Sequence, residues 1–549
     1  MMYTIGVDFG TLSGRALLVD TRTGEEIATS VFAYPHAVMD ERLPGSSRPL
    51  PFEWALQHPQ DYLDVFAHTI PEVLQKSGIS PEQVVGVAVD FTASSPMPVK
   101  RDGTPLCFLD EFKDVPHAYV KLWKHHASQP QADRINAVAR ERKEAWLPRY
   151  GGKYSSEWFF SKLLQILEES PKVYAAIDVF VEAADWVVWQ LTGNLTRNTC
   201  TAGYKMLMQD GKYPSTEFFR AVNSQFENVI AEKVSGSLAP LGGRAGVLTE
   251  AMAAKTGLKA GTAVAVANVD AHVTAPAVKA TTPGVMVMIM GTSTCHIMSG
   301  EALRDVEGMC GVVNGGIIDG LYGYEAGQSG VGDIFAWFVD NAVPYEYYEE
   351  AGAANLNIHD YLEHEAAKQK PGQHGLIALD WWNGNRSTLV DTELSGVLIG
   401  ATLATRAPEI YRALIESTAY GTREIIEAFE AQGVEVKSLV AAGGLPEKNR
   451  LLTQIYADVT GRSLTLSGSG QAPALGSAIH AAVAAGIYPD VRAAADRMGN
   501  LKAEVVNPIP ANQAVYDRLF AEYKTLYSYF GRGANDVMKR LKKIRNEAL

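Results

Sequence analysis

At 549 residues the chain exceeds what a single hydrophobic core holds together, so it divides into at least two domains. Hydrophobic residues at 47% and charged residues at 20% exclude a disordered or fibrous chain, and a formal charge of −13 excludes nucleic acid as a partner. Four scattered cysteines (Cys107, Cys200, Cys295, Cys310), no leader-like N-terminus and no apolar strand-like run stronger than Gly284–Met290 leave a cytoplasmic protein without disulfides or membrane spans as the expectation.

In chain order, Tyr3–Asp8 reads as a short apolar strand, Phe9–Arg15 as a turn rich in Gly, Ser and Thr, and Ala16–Asp20 as a second strand. Thr23-Gly24 turns the chain into Glu26–Tyr34. Tyr62, Leu63, Phe66, Ile70, Val73 and Leu74 recur at helical spacing, and Val84–Phe91 is a buried strand. Residues 110 to 235 are mostly helical and rich in aromatics, an insert within or over the first domain.

A strand, turn and strand pattern returns near residue 262, with strands at Thr262–Asn268, Val285–Met290 and Cys295–Ser299, a turn at Gly291–Thr294 and a strand–turn at Gly316–Leu321. Pro408–Gln432 predicts a long amphipathic helix, Ser438–Ala442 a strand and Asn449–Thr460 a helix. Ala474–Ala485 is a helix of small residues ending at Gly486, and the tail from about 490 is helical and charged. The pattern predicts an α/β fold: two related domains with mixed sheets flanked by helices and a cleft between them. The expected boundaries are residues 1–262, residues 263–490 and a packed tail, 491–549.

Four stretches carry chemistry. In Ile5-Gly6-Val7-Asp8-Phe9-Gly10-Thr11-Leu12-Ser13, the Gly10 backbone and the Thr11 and Ser13 hydroxyls suit phosphate oxygens, and Asp8 at the strand end suits Mg²⁺. Asn268-Val269-Asp270-Ala271-His272 places a carboxylate, Asp270, where it can take a proton from a hydroxyl; an isolated Asp there would more often cap a helix. Gly291-Thr292-Ser293-Thr294 offers a second set of N–H and hydroxyl donors. Gly443-Gly444, with Asn449 beyond, removes bulk where a flat ring can lie. Each stretch alone is an ordinary turn; their order along the chain is the informative feature.

That order resembles the nucleotide-binding set of the actin-like ATPase superfamily, and within it the FGGY carbohydrate kinases over nearly the whole chain. Lys162–Leu167 matches the first family signature loosely, and Gly396–Glu416 (GVLIGATLATRAPEIYRALIE) follows the second closely. The resemblance implies ATP and Mg²⁺ as cofactors, Asp270 as catalytic base and Asp8 as the metal-associated residue. It also implies phosphate contacts at Thr11, Ser13, Gly291 and Thr292, and an adenosine site at Gly443, Gly444 and Asn449.

Residues 87–99, 121–127, 201–205 and 321–333 are similar to the bacterial ribulokinase branch of the family. This similarity implies that Ala93, Ser94, Lys205, Asp270 and Glu325 contact a ketose, as expected for L-arabinose catabolism, and leaves a homodimer open. Transfer to another ketose or polyol (xylulose, ribitol, glycerol) and an ATP-switched binding protein on the same scaffold stay open as alternatives.

Overall fold

The computed structural model describes residues 1–548. Strands β1 (Tyr3–Phe9), β2 (Ser13–Asp20) and β3 (Glu26–Ala33) form a meander, followed by helix α1 (Pro59–Ser77) and β4 (Val84–Phe91). The helical insert includes α2 (Phe159–Glu169) and α3 (Thr199–Lys205). After it come β5 (Arg244–Val247), β6 (Ala263–Ala265), β7 (Asn268–Val269) and α4 (Asp270–Ala277). The second half holds β8 (Val285–Met290), β9 (Thr294–Gly300), β10 (Gly311–Asn314), β11 (Tyr322–Gln328) and the long α5 (Ala407–Ala431). It continues with β12 (Ser438–Ala442), α6 (Arg450–Thr460), β13 (Leu464–Ser467), α7 (Ala472–Ala484), β14 (Leu501–Val506) and α8 (Pro510–Gly531).

Two seven-stranded mixed sheets result. The first runs β5-β6-β4-β1-β2-β3, with β7 also on β4; the second runs β10-β11-β9-β8-β12-β13-β14. Each half therefore opens with an antiparallel hairpin, β1–β2 or β8–β9, whose first strand also pairs in parallel with a later one. The expected two-sheet α/β fold is present, with three differences in sheet membership. Ala263–Ala265 and Asn268–Val269 pair with β4, so the strand expected to open the later half belongs to the first sheet. The tail supplies β14, antiparallel to β13, besides its helices. Gly316–Leu321 is a turn between β10 and β11 rather than a strand.

Four large cores hold these parts. Trp146, Trp158, Phe159 and Phe160 are buried in the insert's own core, which explains the density of aromatics there. The first sheet packs Ile5, Val7, Phe66 and Val89 together, and the second packs Met288, Leu414 and Ile455, joined by Tyr516, Phe520 and Tyr523 of α8. The small-residue helix α7 lies between the sheets: Ala474, Leu475 and Ala478 pack with Leu17 and Val19 of the first and Val440 of the second. Short side chains let α7 approach closely enough for Thr4 Oγ1 to donate to the Ala478 carbonyl at 2.9 Å. Among the described residues no helix is long and apolar enough to cross a membrane.

Candidate active site

β1, β4 and β7 run parallel and end together, since Asp8 is the register partner of Asp90 and Asp90 that of Asn268. Asp8, Asp90 and Asp270, the last being the first residue of α4, therefore gather at one edge of the first sheet. At the second sheet, Ile289 pairs with Ala442, so Gly291 and Gly443 leave adjacent parallel strands at the same edge. Carboxyl ends of parallel strands are where α/β proteins bind ligands. A cavity of about 360 Å³ opens there, lined from both halves by Asp8, Thr11, Lys205, Asp270, Thr292 and Glu325 among others.

The two hairpin turns are built alike. Gly10 N donates to the Ser13 carbonyl at 3.0 Å, and Gly291 N to the Ser293 carbonyl at 2.9 Å. The first turn is braced from outside: Gln57 Nε2 donates to the Thr11 carbonyl (2.7 Å) and Trp123 Nε1 to Thr11 Oγ1 (3.1 Å). In the second, the Thr292 carbonyl accepts from Val331 N at 2.8 Å and Asp333 N at 3.2 Å. Gly10, Thr11, Gly291 and Thr292 line the cavity, whereas Ser13 serves the turn through its carbonyl and stands outside the lining. Gly443 adopts φ +100°, and a Cβ there would lie 2.3 Å from the Met290 carbonyl oxygen, so only glycine lets β12 pass β8 this closely. Gly443, Gly444 and Asn449 are not among the residues that line the cavity; Gly443 stands against Met290 at the end of β8. Asn449 caps α6, its Oδ1 accepting from Leu452 N at 2.7 Å, which leaves its amide N–H groups for a ligand.

Charge at this edge is strongly perturbed. Burial, with the Asp8 charge beside it, pushes Asp270 up to about 7, although its carboxylate accepts from Ala271 N at 2.7 Å. Burial likewise raises Asp90 well above the carboxylate range, helped by the neighbouring Asp8 charge, while Ser477 of α7 donates to it at 2.6 Å. Asp8 is raised by burial against the pull of Arg15, whose Nε stands 3.3 Å away. The remaining Asp90 oxygen is buried with no N–H or hydroxyl donor, and the Asp8 and Asp90 carboxyls interact directly. An all-oxygen donor set of this kind suits Mg²⁺, which takes carboxylates, waters and phosphates.

Facing these carboxylates, Lys205 at the end of α3 and Glu325 in β11 pair across the halves at 3.2 Å, each side chain almost wholly buried. Burial would raise Glu325, but Lys205, His272 and Arg386 outweigh it and hold the carboxyl at about 2. Glu325 also raises Lys205, against the effect of burial, so both groups are charged. Arg386 Nη2 lies 2.8 Å from the other Glu325 oxygen.

The structure thus brings together Asp8, Thr11, Ala93, Lys205, Asp270, Gly291, Thr292 and Glu325. Ser94 is fully buried, its hydroxyl donates to the Glu182 carboxylate, and it is not among the residues that line the cavity, although Thr92 and Ala93 before it are. Lys162, in the loosely matched signature, holds that segment by donating to the Ser94 and Leu122 carbonyls at 2.8 Å each. Sequence reasoning missed Asp90, Trp123, Glu157, His272 and Arg386. Asp90 had a signal, because Val89-Asp90-Phe91 repeats Val7-Asp8-Phe9, and Phe9 and Phe91 stack with centroids 5.0 Å apart. Outside the cleft, His36, His58 and Asp61 cluster at the start of α1. The two rings stack at 4.2 Å, which aims their lone pairs along near-parallel planes, and His58 Nδ1 caps the helix through Gln60 N.

Sequence profiles agree with this construction. The N-terminal domain of the FGGY family of carbohydrate kinases matches residues 3–276, and the C-terminal domain matches residues 286–485. The chain belongs to the FGGY family of carbohydrate kinases. Among relatives of this kinase, a protein named ribulokinase from Anoxybacillus flavithermus is 56% identical over 100% of the chain and 98% of that protein. Another of the same name, from Mycolicibacterium smegmatis, is 57% identical over 100% of the chain and 97% of its own length. The xylulose kinase structure from Rhodospirillum rubrum superposes with a TM-score of 0.75 at 22% identity, covering 96% of this chain and 98% of that one. Plasmodium falciparum glycerol kinase with ADP gives 0.74 at 14% identity, covering 96% and 98%. At those identities the kinase shares their fold.

Proposed function

We propose that this kinase transfers the γ-phosphoryl group of ATP to the terminal hydroxyl of L-ribulose, giving L-ribulose 5-phosphate and ADP in the cytoplasm. The carrying observation is Asp270: a carboxyl near neutrality, on the same cavity wall as two glycine-threonine turns and a buried Lys205–Glu325 pair. Full-length identity of 53–57% to several proteins named ribulokinase supports ribulose as the sugar.

Asp270 accepts the proton of the C5 hydroxyl as its oxygen attacks the γ-phosphorus, and the bond from that phosphorus to the bridging oxygen breaks, with the electron pair leaving on ADP. The Gly10–Thr11 and Gly291–Thr292 turns present N–H and hydroxyl donors to the phosphate oxygens from opposite sides. Asp8 would hold Mg²⁺, directly or through water, and the ion would supply positive charge to the phosphate end of the site. Gly443, Gly444 and the Asn449 amide form the adenosine end. At the other end, Lys205 donates to the ketose carbonyl, and Glu325, kept ionised, accepts from a neighbouring hydroxyl. Ala93 lines the sugar pocket beside them.

The test is ADP release and product mass spectrometry with L-ribulose, D-ribulose, xylulose, ribitol and glycerol. L-Ribulose should give the highest kcat/KM. A clear preference for xylulose, or ATP hydrolysis with no sugar phosphate formed, overturns this reading.

A further inference from the structure

Two cavities meet at Arg386. Beyond the sugar end of the cleft lies a second space of about 170 Å³, walled by Tyr150, Trp158 and Ser329 among others, and the residues common to both are Glu157 and Arg386. Arg386 extends from the later half to Glu325 Oε1 (2.8 Å), while Lys205 of the first half holds Oε2 (3.2 Å), so one carboxylate is gripped from both halves. The arginine stem crosses β11 at Gly327, where a Cβ would meet Arg386 Cδ at 3.1 Å and Nε at 3.2 Å; the missing side chain makes its path. A guanidinium carries five N–H donors in a rigid fork. Glu325 takes one of them, and the side chain remains 34% exposed on the cavity wall. His272 shares this wall, its Nε2 3.5 Å from Glu325 Oε2 and its Nδ1 buried without a hydrogen-bond partner, so polar groups crowd this end of the cavity.

We propose that Arg386 is a specificity-determining residue: it donates to the ketose C1 hydroxyl, next to the carbonyl that Lys205 addresses, and bars substituents at C1 from the space behind it. This assignment rests on the ketose-kinase reading above and goes further by naming the residue that fixes the length of the sugar. Asp270 acts at C5, so the groups clustered with Lys205 face the carbonyl end of a five-carbon chain.

The experiment is steady-state kinetics of the parent, Arg386→Ala and Arg386→Lys on L-ribulose, its 1-deoxy analogue and its 1-O-methyl ether, with unfolding curves confirming folded proteins. Loss of a hydrogen bond that discriminates substrates should raise the L-ribulose KM of Arg386→Ala at least about tenfold, with the ATP KM within about twofold. The penalty for 1-deoxy-L-ribulose, about tenfold or more in the parent, should shrink below about twofold, and the ether should be accepted relatively better. Arg386→Lys, which keeps the charge without the fork, should fall between. A merely structural role would leave the deoxy penalty at its parental value, and that result, or an equal rise in the ATP KM, overturns the proposal. If Arg386→Ala does not fold, a parental deoxy penalty in Arg386→Lys overturns it equally. The parent's sugar panel is read first: failure on L-ribulose falls on the substrate reading alone, and the Arg386 comparison is then made on the ketose the parent does take.

Discussion

Replacing Asp270 by Asn should move activity and stability in opposite directions. The carboxyl rises from its ordinary 3.8 to about 7 in the folded chain, chiefly through burial and then through Asp8. In the parent, kcat/KM for the sugar should therefore fall about tenfold per pH unit below about 7, as the base takes up its proton. Asp270→Asn should lose about 10²- to 10⁴-fold in kcat, the usual contribution of a general base, and lose that acid limb as well. Stability follows from the same shift. An acid whose folded pKa is raised binds more protons folded than unfolded between 3.8 and 7, so stability declines across that window and the full cost is present above it. The rise is worth about 4 kcal/mol for an enclosed group, and partial access to the cleft trims it to about 2 kcal/mol. Asp270→Asn should thus be about 2 kcal/mol more stable than the parent at pH 8 and no more stable at pH 4, by urea unfolding at both values. Near-parental turnover with an unchanged acid limb, or equal gains at the two pH values, would refute the reasoning.

Three further substitutions probe the supports of the site. Lys205→Met leaves the Glu325 carboxylate buried with fewer partners; its displacement from 4.5 to about 2 corresponds to about 3 kcal/mol, so a loss of that order is expected at pH 7. Because a depressed carboxyl contributes above 4.5 and loses that contribution as pH falls towards 2, the gap between variant and parent should narrow across that range in chemical denaturation. Ser477→Ala removes the hydrogen bond to the fully buried Asp90, and should cost about 1–3 kcal/mol of stability in urea titrations, with no change in the ratio of KM values for ketose and ATP. Gly443→Ala places a Cβ 2.3 Å from the Met290 carbonyl at a left-handed backbone position, so it should destabilise by more than about 1 kcal/mol and raise the ATP KM before the sugar KM.

What could be read in the sequence was local. Val285–Met290, Ser438–Ala442 and Val84–Phe91 fall on the observed strands because each is a short apolar run bounded by turn residues, and the glycine turns after Phe9, Met290 and Ala442 follow directly. Strand partners carry no such signal. Ala263–Ala265 and Asn268–Val269 are short and apolar in any sheet, and only their parallel pairing with a strand some 180 residues earlier places them in the first one. The charged Leu501–Val506 segment was read as part of a helical tail for the same reason.

The site divides along the same line. Asp8, Thr11, Gly291 and Thr292 sit at strand ends, so their direction is set by their own hairpins and motif order finds them. Ser94 follows Ala93 in sequence, and only the fold shows that Glu182, 88 residues on, takes its hydroxyl. Arg386 lies in a stretch without regular periodicity, and its role comes from a glycine in β11 and a carboxylate that Lys205 brings from the other half. Conversely, a buried ion pair between distant segments is costly unless both partners are held in place. On the proposed assignment, the Lys205–Glu325–Arg386 grip ties sugar recognition to the joining of the two halves: the halves must be docked for Glu325 to have its cations, and Glu325 must have them to stay ionised while buried. On the same assignment, chemistry at Asp270 would depend on one sheet edge, whereas the choice of sugar would depend on both.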